Sequence, residues 1–362
     1  MKSSAFLLAF SALLLASCSQ DEPVAVNDSS AISFRPALGS RATETTNSNL
    51  SKFYVTSFLD GDTKNASVYF TDIQFDKGND GYFTSAKPYY WPGDNSTLAF
   101  YAYSPSQDEL GADITMTATD KKLENFAVAD SIADQVDFIT SYGTGNRKDN
   151  ETAGLELTFS HRLSQVEVRA KSENPNYTVQ VRGVRIGRPQ YMGTFDFATN
   201  EWTLDDWHDT AVYTSQCDTV TLTKNAVSVM GNAGNAMLMP QQLVAWDYKN
   251  DPDNVARQAY LSVYIRITDP DGSQIYPFPH DTYKDTFTGA DHRQYGWASI
   301  PIDTKWEQGK KYVYTLDFTQ GAGVVDPDDP TPGVPVLGDP IKFNVNVLNW
   351  EEEDEPTAMP FK

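Results

Sequence analysis

Apolar residues recur at every second position in run after run of this chain, and that spacing confines it to sheets. Leu155, Leu157 and Phe159 alternate with Glu156 and Thr158, and Val166, Val168 and Ala170 alternate with Glu167 and Arg169. Leu261, Val263, Ile265 and Ile267 alternate with Tyr260, Ser262, Tyr264 and Arg266, and Tyr312, Tyr314, Leu316 and Phe318 form a further set. Residues two apart lie on one face of a strand, so each set predicts a face turned to a core. Their β-branched and aromatic side chains suit a pleated surface. The apolar phase slips between Phe159 and Val166, and again between Val181 and Val184 across Gly183. Such slips predict bulges or tight turns, because one residue of offset would turn a strand inside out. Turn chemistry punctuates the rest at Asp60-Gly61, Lys77 to Gly81, Trp91-Pro92-Gly93-Asp94 and Asp269-Pro270-Asp271-Gly272. Helical signal is thin: Asp130-Ser131 could cap a short turn carrying Ile132, Val136 and Ile139.

Many short strands separated by turns predict an all-β fold of sandwiches, and 362 residues allow two in tandem. The polar break Lys171-Ser172-Glu173-Asn174-Pro175-Asn176 predicts the boundary, with one domain over 51–173 and a second over 174–322. Residues 18–50 are polar and loose apart from the alternating run Ala31-Ile32-Ser33-Phe34, and they contain Arg35 and Arg41. At the other end, Gly321 to Pro340 is rich in Pro, Gly and Asp, which predicts a semi-extended tether and no core strand. The tether, from 323, leads to the cleanest strand in the chain. Ile341, Phe343, Val345 and Val347 share one face there, and Lys342, Asn344 and Asn346 share the other.

The first residues read as an address. Met1-Lys2 precedes an apolar run from Ala5 to Ala16, too short for a permanent span and of signal-peptide length. It ends in Leu15-Ala16-Ser17-Cys18, which resembles a bacterial lipobox; residues 1–17 would be removed and Cys18 lipidated. An ordinary secretory signal with a chance cysteine is the alternative. Several acyl chains, at about 0.8 kcal/mol per buried methylene, make a lasting anchor in the outer membrane. The acidic Ser19-Gln20-Asp21-Glu22 is similar to export signals of some Bacteroidetes surface lipoproteins. With Cys18 acylated, Cys217 stands alone, so the cores must hold by packing and backbone pairing; it reads as a structural or incidental thiol.

Forty-nine acidic against 28 basic side chains give a net charge of −21, which repels phosphate backbones and argues against nucleic acid as a partner. His161, His208, His280 and His292 are far apart, so no His–Cys metal site and no cofactor are expected, and His161 reads as a structural histidine. The sequence contains no nucleophile elbow, P-loop or HExxH, and the adjacent Asp205 and Asp206 would point to opposite faces of a strand, so an enzyme is not expected. Asp326, Asp328 and Asp329, or Asp269 and Asp271, could offer oxygen ligands to calcium, but their spacing fits no known loop and they read as solvated acidic turns. Trp202 and Trp207, near Tyr213, could stack on sugars, which leaves a non-polymerising, glycan-binding surface lipoprotein as the second reading. Aromatics at this density also serve as core or sandwich rim.

Several local runs together resemble one family. They are Tyr89-Tyr90-Trp91-Pro92 leading to Leu98-Ala99-Phe100-Tyr101-Ala102-Tyr103-Ser104-Pro105, then Leu157-Thr158-Phe159-Ser160-His161-Arg162-Leu163-Ser164-Gln165-Val166. Met237-Leu238-Met239-Pro240-Gln241, Trp306-Glu307-Gln308-Gly309-Lys310-Lys311-Tyr312-Val313-Tyr314 and the final Ile341 to Trp350 strand follow. In that order, behind a lipobox, they resemble the Bacteroidales fimbrillins of the Mfa-like or FimA-like type, the type V pilus subunit lipoproteins. The resemblance implies two transthyretin-like Greek-key sandwiches in tandem and a fimbrial subunit at the cell surface. It implies other fimbrial subunits as partners, and a host or bacterial surface ligand where the subunit is adhesive. It also implies trimming by an arginine-specific protease, here matched by Arg41 in Gly39-Ser40-Arg41-Ala42-Thr43. Arg35 is the runner-up, but Pro36 after it opposes cleavage. The vacated groove would take a neighbour's strand, for which the Ile341, Phe343, Val345 and Val347 face is suited. That strand could instead fold back into its own domain.

Overall fold

The computed structural model describes residues 31–37, 49–59, 61, 66–206, 210–278, 282–329 and 341–350. Their dominant element is the β-strand, as the alternation predicts. An eight-stranded sheet runs in the order Ser160–His161, Ile139–Gly145, Leu98–Ser104, Lys52–Leu59, Ser67–Lys77, Phe83–Thr84, Phe34–Ala37 and Leu155–Thr158. The sheet folds back on itself: a Cβ on Gly143 would lie 2.8 Å from Leu157 Cδ2. Phe34, Phe53, Phe75, Phe100, Leu155 and Leu157 fill the space enclosed, all buried.

The second half is built from two further sheets. One orders Thr210–Thr221, Thr178–Gln190, Tyr260–Thr268, Gly296–Pro301 and Val324–Val325, with Gln274–Tyr276 beside Tyr260–Thr268. The other orders Val227–Ser228, Ser164–Lys171, Lys310–Asp317 and Lys342–Asn349, with Ala236–Leu238 beside Ser164–Lys171. The alternating sets Val166, Val168 and Ala170, Leu261 to Ile267, and Tyr312 to Phe318 are buried between them, in one cluster. The phase slip at Gly183 is a bulge in both ladders of its strand. A Cβ there would approach Phe287 Cζ to 2.6 Å and Ser215 O to 2.7 Å, which is why the bulge carries glycine.

Three expectations differ from what is found. The 171–176 break is a turn within the second half, because Ser164–Lys171 pairs in parallel with Lys310–Asp317. The chain passes between sheets at Arg162–Leu163; a polar break marks where a chain turns, and not which strand it pairs with. A four-stranded sheet of Glu201–Leu204, Met192–Asp196, Lys121–Ala127 and Asp113–Met116 draws strands from both sides of that break. The expected helix is a three-residue turn, Ile132–Asp134, with no side-chain cap; Gln135 is already extended and Ile139 opens a strand. The tether starts with a short strand, Val324–Val325 against Ala298 and Ser299, before residues 330–340, which lie outside the described set.

Candidate functional site

The leading strand, Phe34–Ala37, is a short insertion between two others. It runs parallel to Leu155–Thr158 over its whole length and meets Phe83–Thr84 only at Phe34. Ile32 N–H donates to Tyr89 C=O at 2.7 Å, and Ser33 and Ala37 C=O accept from Leu155 N–H at 2.9 Å and Phe159 N–H at 3.1 Å. Ser33 and Ala37 therefore face Leu155–Thr158, and Pro36 faces the other way, past the end of its antiparallel partner. Its missing N–H removes no ladder bond there. Phe34 is fully buried, its ring centroid 4.8 Å from Phe75, 5.2 Å from Phe100 and 5.8 Å from Phe53, all edge-on. Two clefts of about 370 and 360 Å³ flank the strand, one lined by Ile32, Ser33 and Tyr82, the other by Arg35, Pro36 and Gly81. Without its leading strand, this sheet would hold an apolar slot bordered by unpaired backbone.

The tail strand, Lys342–Asn349, lies at home on the edge of its own sheet, antiparallel to Lys310–Asp317. Phe343, Val345 and Val347 stand opposite Leu316, Tyr314 and Tyr312. Phe343 and Val345 are only half-buried, Val347 is 53% exposed, and Ile341 is buried. The predicted apolar face thus exists, but home covers it incompletely. Among the described residues, the buried Asn344 Oδ1 and Trp350 Nε1 have no hydrogen-bond partner. Each such group weakens a seat by about 1–3 kcal/mol.

Past the tail strand, Trp350 lies flat on the ring of His161, centroids 4.6 Å apart and planes 4° from parallel. His161 is buried, its Nδ1 3.0 Å from Asp137 Oδ1, the satisfied structural histidine that the sequence suggests. Backbone bonds reinforce the contact: Trp350 N–H donates to Gly309 C=O at 3.3 Å, and Gly309 N–H to Leu163 C=O at 2.8 Å. The tail therefore ends against the first sheet's last strand, a juxtaposition that neither residue signals in sequence.

The other candidates divide sharply. Cys18, Arg41 and Trp207 lie outside the described residues. Arg35 is exposed, but its backbone is held in the leading strand's ladder. Trp202 is no sugar platform: it packs on Phe126, Phe138 and Phe195, and its Nε1 donates to Arg162 C=O at 2.7 Å. Tyr213 is fully buried. Asp205 and Asp206 are exposed. Cys217 is buried, which pushes its thiol up to about 11 with help from Asp218. Among the described residues, no three His, Cys, Asp or Glu side chains gather in a metal-binding group.

Asp326, Asp328 and Asp329 are taken up by arginine and tyrosine, a correction to both the calcium and the solvated readings. Arg185 Nη1 lies 2.9 Å from the fully buried Asp326 Oδ2, which is an ion pair without hydrogen-bond alignment. The Tyr260 hydroxyl donates to Asp328, which Arg188 pairs, and lies 3.2 Å from Asp326 Oδ1; Arg293 Nη1 reaches Asp329 Oδ2 at 2.8 Å. Burial pulls the Asp328 carboxyl upward, but bonds from Arg188 and Tyr260 hold it below its ordinary value. Burial wins at Asp326, whose carboxyl stands above its ordinary value. These pairs fasten the start of the tether to the sheet beneath it. Asp269 caps its own turn, accepting from Ser273 N–H at 2.8 Å.

The sequence matches the family described as fimbrillin-like over residues 40–350. No curated protein matches the chain in sequence. A fimbrial protein of Bacteroides vulgatus has a similar structure at 14% identity, with a TM-score of 0.57 over 89% of this chain and 99% of its own. A candidate cell adhesion protein of Bacteroides ovatus is similar at 15% identity, with a TM-score of 0.51 over 90% and 99%.

Proposed function

The chain belongs to the fimbrillin-like family, and from that premise we propose that it is a structural or adhesive subunit of a cell-surface fimbria. In this reading it is exported as a lipoprotein, acylated at Cys18 and held at the outer membrane. An arginine-specific protease cuts after Arg41, and the leading strand leaves. A neighbouring subunit then donates its tail, with Ile341, Phe343, Val345 and Val347 entering the slot. Its partners are other fimbrial subunits and, for an adhesive subunit, a host or bacterial surface ligand.

The observation that carries the reading is the seat of Phe34. A four-residue strand supplies the ring at the centre of an aromatic core, yet has one full-length neighbour and ends four residues before Arg41. Its removal leaves both backbone bonds and apolar surface to be satisfied, the condition for strand addition. Donation of one molecule's tail into another's slot is heterologous and does not close, so it produces filaments. The association cost of about 4–15 kcal/mol consumes much of what one strand contributes, so a lasting fibre depends on a high barrier to strand loss.

The test uses the soluble chain from Ser19, cut with an arginine-specific protease and verified by N-terminal sequencing to begin at Ala42. Ladders stable in mild detergent are expected from the cut chain, and none from a cut chain lacking residues 340–362. A cut chain that stays monomeric contradicts the reading.

A further inference from the structure

The slot's border and the tail's contact lie two residues apart along the chain, at Phe159 and His161. Phe159 borders the slot: its N–H donates to Ala37 of the leading strand at 3.1 Å, and its buried ring lies 5.1 Å from Phe53. Ser160 follows, paired with Thr140 across the ladder. His161 comes next and carries the stack with Trp350. The same short segment thus touches the leading strand at one end and the tail at the other. Beyond His161, Leu163 C=O accepts from Gly309 N–H, and Gly309 C=O accepts from Trp350 N–H, so the backbone makes a second path to the tail.

We propose that the segment Phe159–His161 couples the two ends, so that loss of the leading strand releases the tail of the same molecule. With the leading strand seated, Ala37 holds the Phe159 backbone, and His161 presents its ring at the angle that Trp350 covers. When that strand leaves, Phe159 N–H loses its acceptor and Phe53 loses Phe34 as a packing partner. The segment then relaxes into the vacated space, and the ring under Trp350 moves with it. The tail is already imperfectly seated, with Asn344 Oδ1 and Trp350 Nε1 lacking partners and Val347 exposed. This rests on the assembly reading above and adds to it: opening the acceptor and freeing the donor become one event, and an untrimmed subunit keeps its own tail covered. Coupling between two sites is reciprocal, so loosening the tail must loosen the leading strand by the same factor.

Hydrogen exchange followed by mass spectrometry tests this on the Ser19 chain, intact and trimmed, on monomer isolated by size exclusion directly after cutting. Amides of residues 341–350 are expected to exchange about tenfold faster after trimming, within the 5–150-fold range of ordinary site coupling. In His161→Ala they exchange fast before trimming, and trimming adds less than about twofold, a remainder too small to carry coupling of that ordinary size. Trp350→Leu keeps apolar volume without a stacking plane and decides the matter should His161→Ala not fold. In the intact chain it speeds exchange at residues 32–37 by the factor that trimming produces at the tail. Tail exchange unchanged by trimming, in a chain that still forms ladders, overturns the coupling and leaves the assembly reading standing. A tail freed by trimming in a chain that never forms ladders supports the coupling and overturns the assembly reading.

Discussion

Phe34→Ala removes the centre of the first core while leaving the leading strand's backbone in place. The ring is fully buried and meets Phe53, Phe75 and Phe100 edge-on. Truncation of a buried phenylalanine destabilises by about 3–5 kcal/mol, part transfer and part cavity. In a unit of this size each kcal/mol moves Tm by about 2–4 °C, so the first unfolding transition should fall by about 6–20 °C. Arg35→Ala is the control: its side chain points to solvent from the same ladder, and the expected change is within about 0.5 kcal/mol. Both variants are compared with wild type by calorimetry and urea denaturation, before and after cutting at Arg41. Cutting removes both positions, so the trimmed proteins must be indistinguishable. A loss below about 1 kcal/mol for Phe34→Ala, well short of the buried-ring range, or an equal loss for Arg35→Ala, would refute the view that this strand fills the core.

Other expectations follow from single contacts. Gly183→Ala places a Cβ against Phe287 and the Ser215 carbonyl, so a loss of about 1–3 kcal/mol is expected in urea denaturation. Burial opposes ionisation of Glu167, but bonds from Arg169 and the charge of Lys311 hold its carboxyl below the ordinary value, and Asp328 is held down likewise. Groups depressed in the folded state add stability above their unfolded values near about 4 and lose it as pH falls through their folded values. The urea midpoint should therefore drop as pH falls below about 4, less steeply in Glu167→Gln. Cys217, buried and with its thiol pushed up to about 11, should resist a thiol reagent at pH 8 in the native Ser19 chain and react on unfolding.

Much of the architecture was legible because it depends on neighbours in sequence. The alternating sets, the bulge at Gly183 and the turn at Asp269-Pro270-Asp271-Gly272 all form where local pattern and turn chemistry place them. The run Ala31 to Phe34 and the last strand also stood out, so both ends of the candidate site were visible as strands. Their partners were not. Ser164–Lys171 pairs with a strand far along the chain, and nothing in its own alternation points to Lys310–Asp317 ahead of its neighbours in sequence. The acidic turn at Asp326 read as solvated because Arg185, Arg188 and Arg293 stand far from it in sequence and reach it only in the fold. Trp202 read as an available ring because a half-alternating strand does not disclose that Phe126, Phe138 and Phe195 come to cover it. The stack of Trp350 on His161 left no sequence signal, since neither residue type nor spacing announces a contact between the chain's middle and its end.

Whether a tail fits the vacated slot can be read without any filament. A synthetic peptide of residues 341–350 is titrated by calorimetry into the Ser19 chain lacking residues 340–362, first uncut and then cut at Arg41. The home edge along Lys310–Asp317 is vacant in both chains, so the account predicts one more peptide bound per cut chain than per uncut chain, with that extra binding weakened when Phe343 and Val345 of the peptide are changed to Ser. Equal binding to both chains, or binding to neither, would contradict it.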